Sequence, residues 1–303
     1  MNPRLAEAVN QALGRLGPDH VGSWRQVAMV KNDGPLGAGS ATEKFANMFN
    51  IDTRRPMQKG FINPRERFAT QVIEAILQSV IPKARSAGEV LAFSVPAPSP
   101  GLEAELTYHE ATLRGYLDSL GYKSVAINEG LAVIFSELED ENFSGIGISC
   151  GGGMCNGTLA FLSIPSMMFG LPKGGDFIDA SVGAVINEHA TRVKTLKEEN
   201  LDLSRVPRDK LEKALHIYYE DLVLSLTEAL RQALSQAEKL PKTERPIPIV
   251  LSGGTAKPRG FRELFDRALR SRPLPIEIGQ TRIAVDPLTA TARGALIAAM
   301  YEK

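Results

Sequence analysis

The chain has 303 residues, 43% hydrophobic and 23% charged, with 35 basic and 35 acidic side chains and a formal net charge of zero. That length suits two lobes rather than one small core, and the charge balance excludes the basic footprint of a nucleic-acid binder. No apolar run reaches transmembrane length, no signal-peptide pattern is visible, and two cysteines, Cys150 and Cys155, cannot make a disulfide framework.

Residues 1–17 carry a helical stripe, Leu5, Val9, Leu13 and Leu16, closed by Gly17. The stripe lacks Phe and Trp and has few basic residues, so docking against the body ranks ahead of membrane-surface contact. Residues 26–31 form a candidate strand, followed by a Gly-rich loop from Lys31 to Ser40. Asn63-Pro64-Arg65-Glu66 has the chemistry of a helix start, and Phe68, Val72, Ile76 and Val80 mark its buried face. Val90–Val95 reads as a strand, ended by a Pro-rich loop over 96–101. Thr107 with Glu110 predicts a capping box, and that helix ends near Gly121. Ser124–Ile127 is a strand leading into Asn128-Glu129-Gly130.

Ile146–Ser149 and Leu159–Ile164 read as a hairpin around the glycine turn 151–153. Phe177 to Lys197 is expected to be helical, and Arg208 to about Lys239 is a long helix with Leu211, Leu215, Leu222, Leu226 and Leu230 on one face. Pro241–Pro248 links to a strand at Ile249–Ser252. Helices follow at Arg259–Arg270 and Leu288–Met300. Strands alternating with helices indicate an α/β fold.

Two segments concentrate the chemistry. Ile146–Ser149 and Ile249–Ser252 are β-branched runs that stop at glycine clusters, Gly151-Gly152-Gly153 and Gly253-Gly254. Turns without Cβ atoms let backbone N–H groups approach phosphate oxygens closely. A plain hairpin bulge and a plain strand-to-helix turn are the alternatives. The four histidines, at 20, 109, 189 and 216, have no metal-ligand spacing, and the two cysteines read as free thiols in a reducing cytoplasm.

Across residues 54 to 300 these motifs, in this order, resemble the actin-like ATPase superfamily: actin, its MreB-type homologues, the 70-kDa heat-shock chaperones and sugar kinases. Arg55-Pro-Met-Gln-Lys-Gly-Phe-Ile-Asn63 is similar to the MreB-type segment before the first long helix, and Asn128–Ala132 to the hinge motif. Gly174–Asp179 is similar to the Gly-Gly-Asp/Glu-x-x-Asp stretch, and Ala190–Lys194 to a segment that touches ribose and adenine. Ser252–Gly260 is similar to the adenosine turn, and Asp286-Pro287 with Arg293-Gly294-Ala295 to the closing helix.

The resemblance implies a two-lobe, ribonuclease H-like α/β fold. Its first lobe would span 1–144 plus 286–303. The second would span 145–285, with a helical insertion at about 177–240. It implies ATP or another purine nucleotide held by Gly151, Gly152, Gly153, Gly175, Asp176, Lys194, Gly253, Gly254, Thr255 and Gly260. Glu129 would position the attacking water, or is simply a charged strand-end residue; Lys194 meets ribose or phosphate, or lies on a solvated helix face.

The chain departs from the family at three places. Ser149 stands where the family's Asp organises Mg²⁺, with Met154 and Asn156 in the usual Thr and Asp/Glu positions. Residues 1–26 lack the first phosphate hairpin, so the first strands of lobe one are expected to be reduced or rebuilt. Between Lys197 and Arg208 there is little room for the second lobe's β-subdomain, which puts filament formation in doubt. The expectation is a cytoplasmic nucleotide binder with weakened Mg²⁺ affinity, weak or no hydrolysis, and a protein partner or self-association. Its rivals are a scaffold with a relic cleft, an active ATPase or small-molecule kinase, and a chaperone-like reactivating factor.

Overall fold

The computed structural model describes residues 29–30, 53–237 and 245–302. The expected helix at 1–17, the loop at 31–40 and the first half of the linker over 241–248 lie outside them. Two bodies can be followed. The N-terminal body begins with short antiparallel pairs, β1 (Met29–Val30) with β2 (Thr53–Arg54) and β3 (Met57–Gln58) with β4 (Phe61–Ile62). Helix α1 (Ala69–Val80) follows, then the parallel strands β5 (Val90–Val95) and β6 (Lys123–Asn128), joined by α2 (Glu103–Ser119). Helix α3 (Glu129–Glu137) leads out of this body.

The second body is a five-stranded mixed sheet. Strands β7 (Gly145–Cys150), β8 (Cys155–Phe161) and β9 (Ile164–Leu171) form an antiparallel meander. Strand β10 (Ile247–Ser252) pairs parallel to β7, and β11 (Ile278–Ile283) pairs parallel to β10. Helices α4 (Gly175–Ile186), α5 (Ala190–Asn200) and α6 (Lys210–Gln236) lie between β9 and β10. Helix α7 (Phe261–Ser271) precedes β11, and α8 (Ala290–Tyr301) closes the described chain.

Every residue of β7 is buried, as a central strand covered on both faces must be. Ile146, Ile148 and Cys150 join Leu159, Ile249 and Leu251 in a core roofed by Tyr219, Leu222 and Leu226 of α6. The odd residues of β7 face α3 instead. A Cβ on Gly147 would lie 2.1 Å from Gly130 O, so helix and strand meet backbone to backbone. On its other side α3 meets α8 equally closely: a Cβ on Gly294 would lie 1.7 Å from Ala132 O.

Several boundaries differ from expectation for local reasons. Asn63 caps a turn rather than a helix, accepting the Arg65 N–H at 3.1 Å, and α1 starts six residues later. Helix α2 starts at Glu103, which puts Thr107 inside it, its hydroxyl donating to Glu103 O at 2.9 Å. The expected strand Leu159–Ile164 is the end of β8, a turn and the start of β9; Leu162 and Ser163 both take positive φ with no glycine to announce the reversal. The single helix expected from Phe177 to Lys197 is two, separated at Asn187, which takes left-handed φ 58.

Candidate functional site

A cleft of about 390 Å³ opens in the second body where both glycine turns converge. Gly151, Gly152, Gly175 and Asp176 line it. Gly254, Thr255, Lys257, Pro258 and Arg259 also line it, with Lys197, Glu198 and Leu201 of α5.

The two turns are stitched together. In a two-residue hairpin Gly151 and Met154 would exchange two backbone bonds. Here the Gly151 N–H donates to Met154 O at 2.9 Å, but Gly151 O is taken by the Gly175 N–H at 3.1 Å and the Thr255 hydroxyl at 2.8 Å. The Asp176 N–H donates to Gly152 O at 2.8 Å. The start of α4 therefore serves the carbonyls of the turn, while the N–H groups of Gly152 and Gly153 have no acceptor among the described residues. Donors without acceptors in a side-chain-free turn fit a phosphate group.

The residues expected to hold a nucleotide divide into two sorts. Gly151, Gly152, Gly175, Gly254, Asp176 and Thr255 line the cleft. Gly153, Gly253 and Gly260 are not among its lining residues, and their missing side chains permit protein packing. A Cβ on Gly153 would lie 2.1 Å from Gly60 N in the β3–β4 turn; one on Gly253, 2.2 Å from Cys150 O; one on Gly260, 2.5 Å from Ser204 N. Gly253 and Gly260 also take positive φ, 93 and 86.

Lys194 is buried, and Lys197, one turn further along α5, is the lysine that reaches the cleft. Its Nζ lies 2.7 Å from Asp179 Oδ1, off the line of a good hydrogen bond, and donates to Gly175 O at 3.3 Å. Burial raises the Asp179 carboxyl to about 6 against the attraction of Lys197. Lys197, Glu198 and Arg259 line the cleft without being among the residues expected to hold a nucleotide. The signal available for the lysine was its three-residue spacing from Lys194 on one helix.

Glu129 lies at the junction of the bodies. The Ser149 hydroxyl donates to Glu129 Oε2 at 2.8 Å and the Asn156 amide to the same oxygen at 3.1 Å. Asn156 Oδ1 in turn accepts the Ala97 N–H at 2.8 Å, from the proline loop after β5. Asn128 caps α3, taking the Gly130 N–H at 2.9 Å and the Thr158 hydroxyl. Ser149 and Asn156, fully buried, thus act as neutral donors to one carboxylate. No group of three or more His, Cys, Asp or Glu side chains suited to a metal occurs among the described residues.

The five-stranded sheet has the strand order 9-8-7-10-11, and a sequence profile of the Volactin family matches residues 19–299. The chain belongs to the Volactin family. Solved structures carry the same fold at low identity. A MamK double-helical filament superposes on the Volactin-family chain with a TM-score of 0.69 at 18% identity, covering 92% of each chain. MreB5 of Spiroplasma citri bound to ADP gives 0.64 at 14%, covering 90% of this chain and 87% of its own. EutJ of Carboxydothermus hydrogenoformans gives 0.52 at 19%, covering 87% and 81%. Among curated protein sequences nothing matches. The Volactin-family chain therefore has the two-lobe actin-like ATPase fold, and no helix among its described residues is long and apolar enough to cross a membrane.

Proposed function

We propose that this Volactin-family protein binds a purine nucleotide, ATP first among them, between lobes formed by 1–144 plus 286–303 and by 145–285. Nucleotide occupancy would set the lobe angle and with it the affinity for a protein partner or a second copy, in a cytoplasmic assembly. The observation that carries this reading is the open cleft where the two glycine turns meet, lined by Gly152, whose N–H has no acceptor among the described residues, and by Lys197, Lys257 and Arg259. MamK and MreB5 have been solved with AMPPNP and ADP, which supports the same ligand class.

Hydrolysis is proposed to be slow or absent. Phosphoryl transfer depends on positioned charge, and Glu129 is occupied by Ser149 and Asn156 where the fold's acids would otherwise stand. A divalent ion would be held through phosphate and water with little help from protein carboxylates, so Mg²⁺ should add little affinity. Titration calorimetry with ATP, with and without Mg²⁺, tests this. Binding in both conditions supports it, and no heat at millimolar ATP overturns it. The second reading, a scaffold with a relic cleft, draws on the same neutral Ser149–Asn156 pair and would be left standing by that negative result.

A further inference from the structure

Asp176 stands on the rim of the cleft against the glycine turn. A methyl group on Gly152 would lie 3.4 Å from its Oδ1, so any anion approaching the Gly152 N–H meets this carboxylate. Left alone, it would repel a phosphate. It is not left alone: Arg55 Nη1 contacts Asp176 Oδ1. The two side chains are 28% and 34% exposed, so neither is locked away from a competing partner.

Arg55 reaches this point from a well-anchored segment. Pro56 follows it and restricts its backbone, and Pro56 O accepts the Asn63 N–H at 2.8 Å. The β3–β4 turn just beyond rests directly on Gly153, backbone against backbone. The guanidinium is thus delivered across the junction of the two bodies by a hairpin already seated on the glycine turn.

We infer that Arg55 is a phosphate-binding residue held by Asp176 until a nucleotide arrives. A phosphate at the Gly151–Gly152 turn takes the guanidinium from Asp176, exchanging one charge-assisted pair for another of better geometry, since a guanidinium fork matches phosphate oxygens. This rests on the nucleotide reading above and assigns its regulation. The contact between bodies changes from a direct ion pair to one bridged by phosphate, and its strength then follows the number of phosphates. Arg55 would also supply the positive charge that a weakly held Mg²⁺ does not.

The two partners of the pair act in opposite directions on phosphate and not at all on the nucleoside. Adenosine, ADP and ATP are titrated into wild type, Arg55→Gln and Asp176→Asn, each first checked for an unchanged melting temperature. Asp176→Asn should tighten ADP and ATP about three- to fivefold, Arg55→Gln should weaken them by a similar factor, and adenosine should not move. Asp176→Ser replaces Asp176→Asn if the latter melts early, because serine keeps a small polar group in the first turn of α4. If both variants shift ADP the same way, leave it unchanged, or shift adenosine as much as ADP, the pair is structural and the assignment to Arg55 fails while nucleotide binding stands. If wild type binds none of the three ligands, the nucleotide reading fails and this inference with it.

Discussion

Replacing Asp179 by Asn should change how stability depends on pH, in a direction fixed by burial. Asp179 is 1% exposed, and its carboxyl is raised from 3.8 to about 6, burial outweighing the Lys197 ammonium 2.7 Å away. Between those two values the folded chain holds a proton that the unfolded chain has released, so this group makes stability fall as pH rises. A rise of that size corresponds to about 3 kcal/mol at 1.36 kcal/mol per unit. Below pH 4 Asp179 is protonated in both states and contributes nothing; above pH 6 the full cost is present. Asparagine cannot ionise, so urea unfolding of the nucleotide-free protein, followed by circular dichroism from pH 4 to 7, isolates the contribution. The wild-type stability minus that of Asp179→Asn should fall by about 3 kcal/mol across this range. A flat difference would refute the burial argument. A rising one would show that Lys197 outweighs burial and that the carboxyl is depressed.

His109 should behave oppositely. Burial lowers it to about 4 while its Nδ1 accepts the Ile62 N–H at 3.2 Å, so its contribution to stability is lost as pH falls from 6.5 to 4; in an NMR titration its ring protons should stay unshifted down to about pH 5, and a midpoint near 6.5 would contradict this. Gly294→Ala should cost more than about 3 kcal/mol, because its methyl would meet Ala132 O, whereas Gly115→Ala, on α2 with nothing within 4 Å, should gain about 0.5–1 kcal/mol; thermal melts of the two variants should move in opposite directions. Ser149→Asp puts a second carboxylate beside Glu129 in place of a donor, so it should lower stability at pH 8 by about 1–3 kcal/mol, recover at pH 5, and gain no ATP hydrolysis; phosphate release above wild type would refute the last point.

The strands and turns that carry the cleft were legible because their signals are local. A buried β-branched run ending in glycines names both a central strand and a tight turn, and Gly121, at φ 92, ends α2 as its position implies. The long helix was legible because Leu215, Leu222, Leu226 and Leu230 repeat on one buried face over many turns. What the residues could not reveal depends on partners far away. Asn63 and Pro64 would open a helix in isolation, but the exit of the β3–β4 hairpin uses them for a turn. Lys194 and Lys197 differ only in which one the rotation of α5 aims at the cleft. Gly153 and Gly260 look like ligand glycines, yet their close neighbours are Gly60 and Ser204. The Arg55–Asp176 pair joins residues with no shared periodicity, and only the folded chain brings them together.

The glycine contacts on the two sides of α3 have a mechanical consequence. With Gly130 pressed on Gly147 and Ala132 pressed on Gly294, the helix touches its neighbours through main chain, and no rotamer change can absorb a displacement there. Sliding would drive carbonyl oxygens over one another, whereas turning about the points of contact preserves their spacing. Any movement of one body against the other that keeps these contacts is therefore a rotation about α3, and a rotation of a few degrees there becomes a far larger travel at the outer edges of the two bodies.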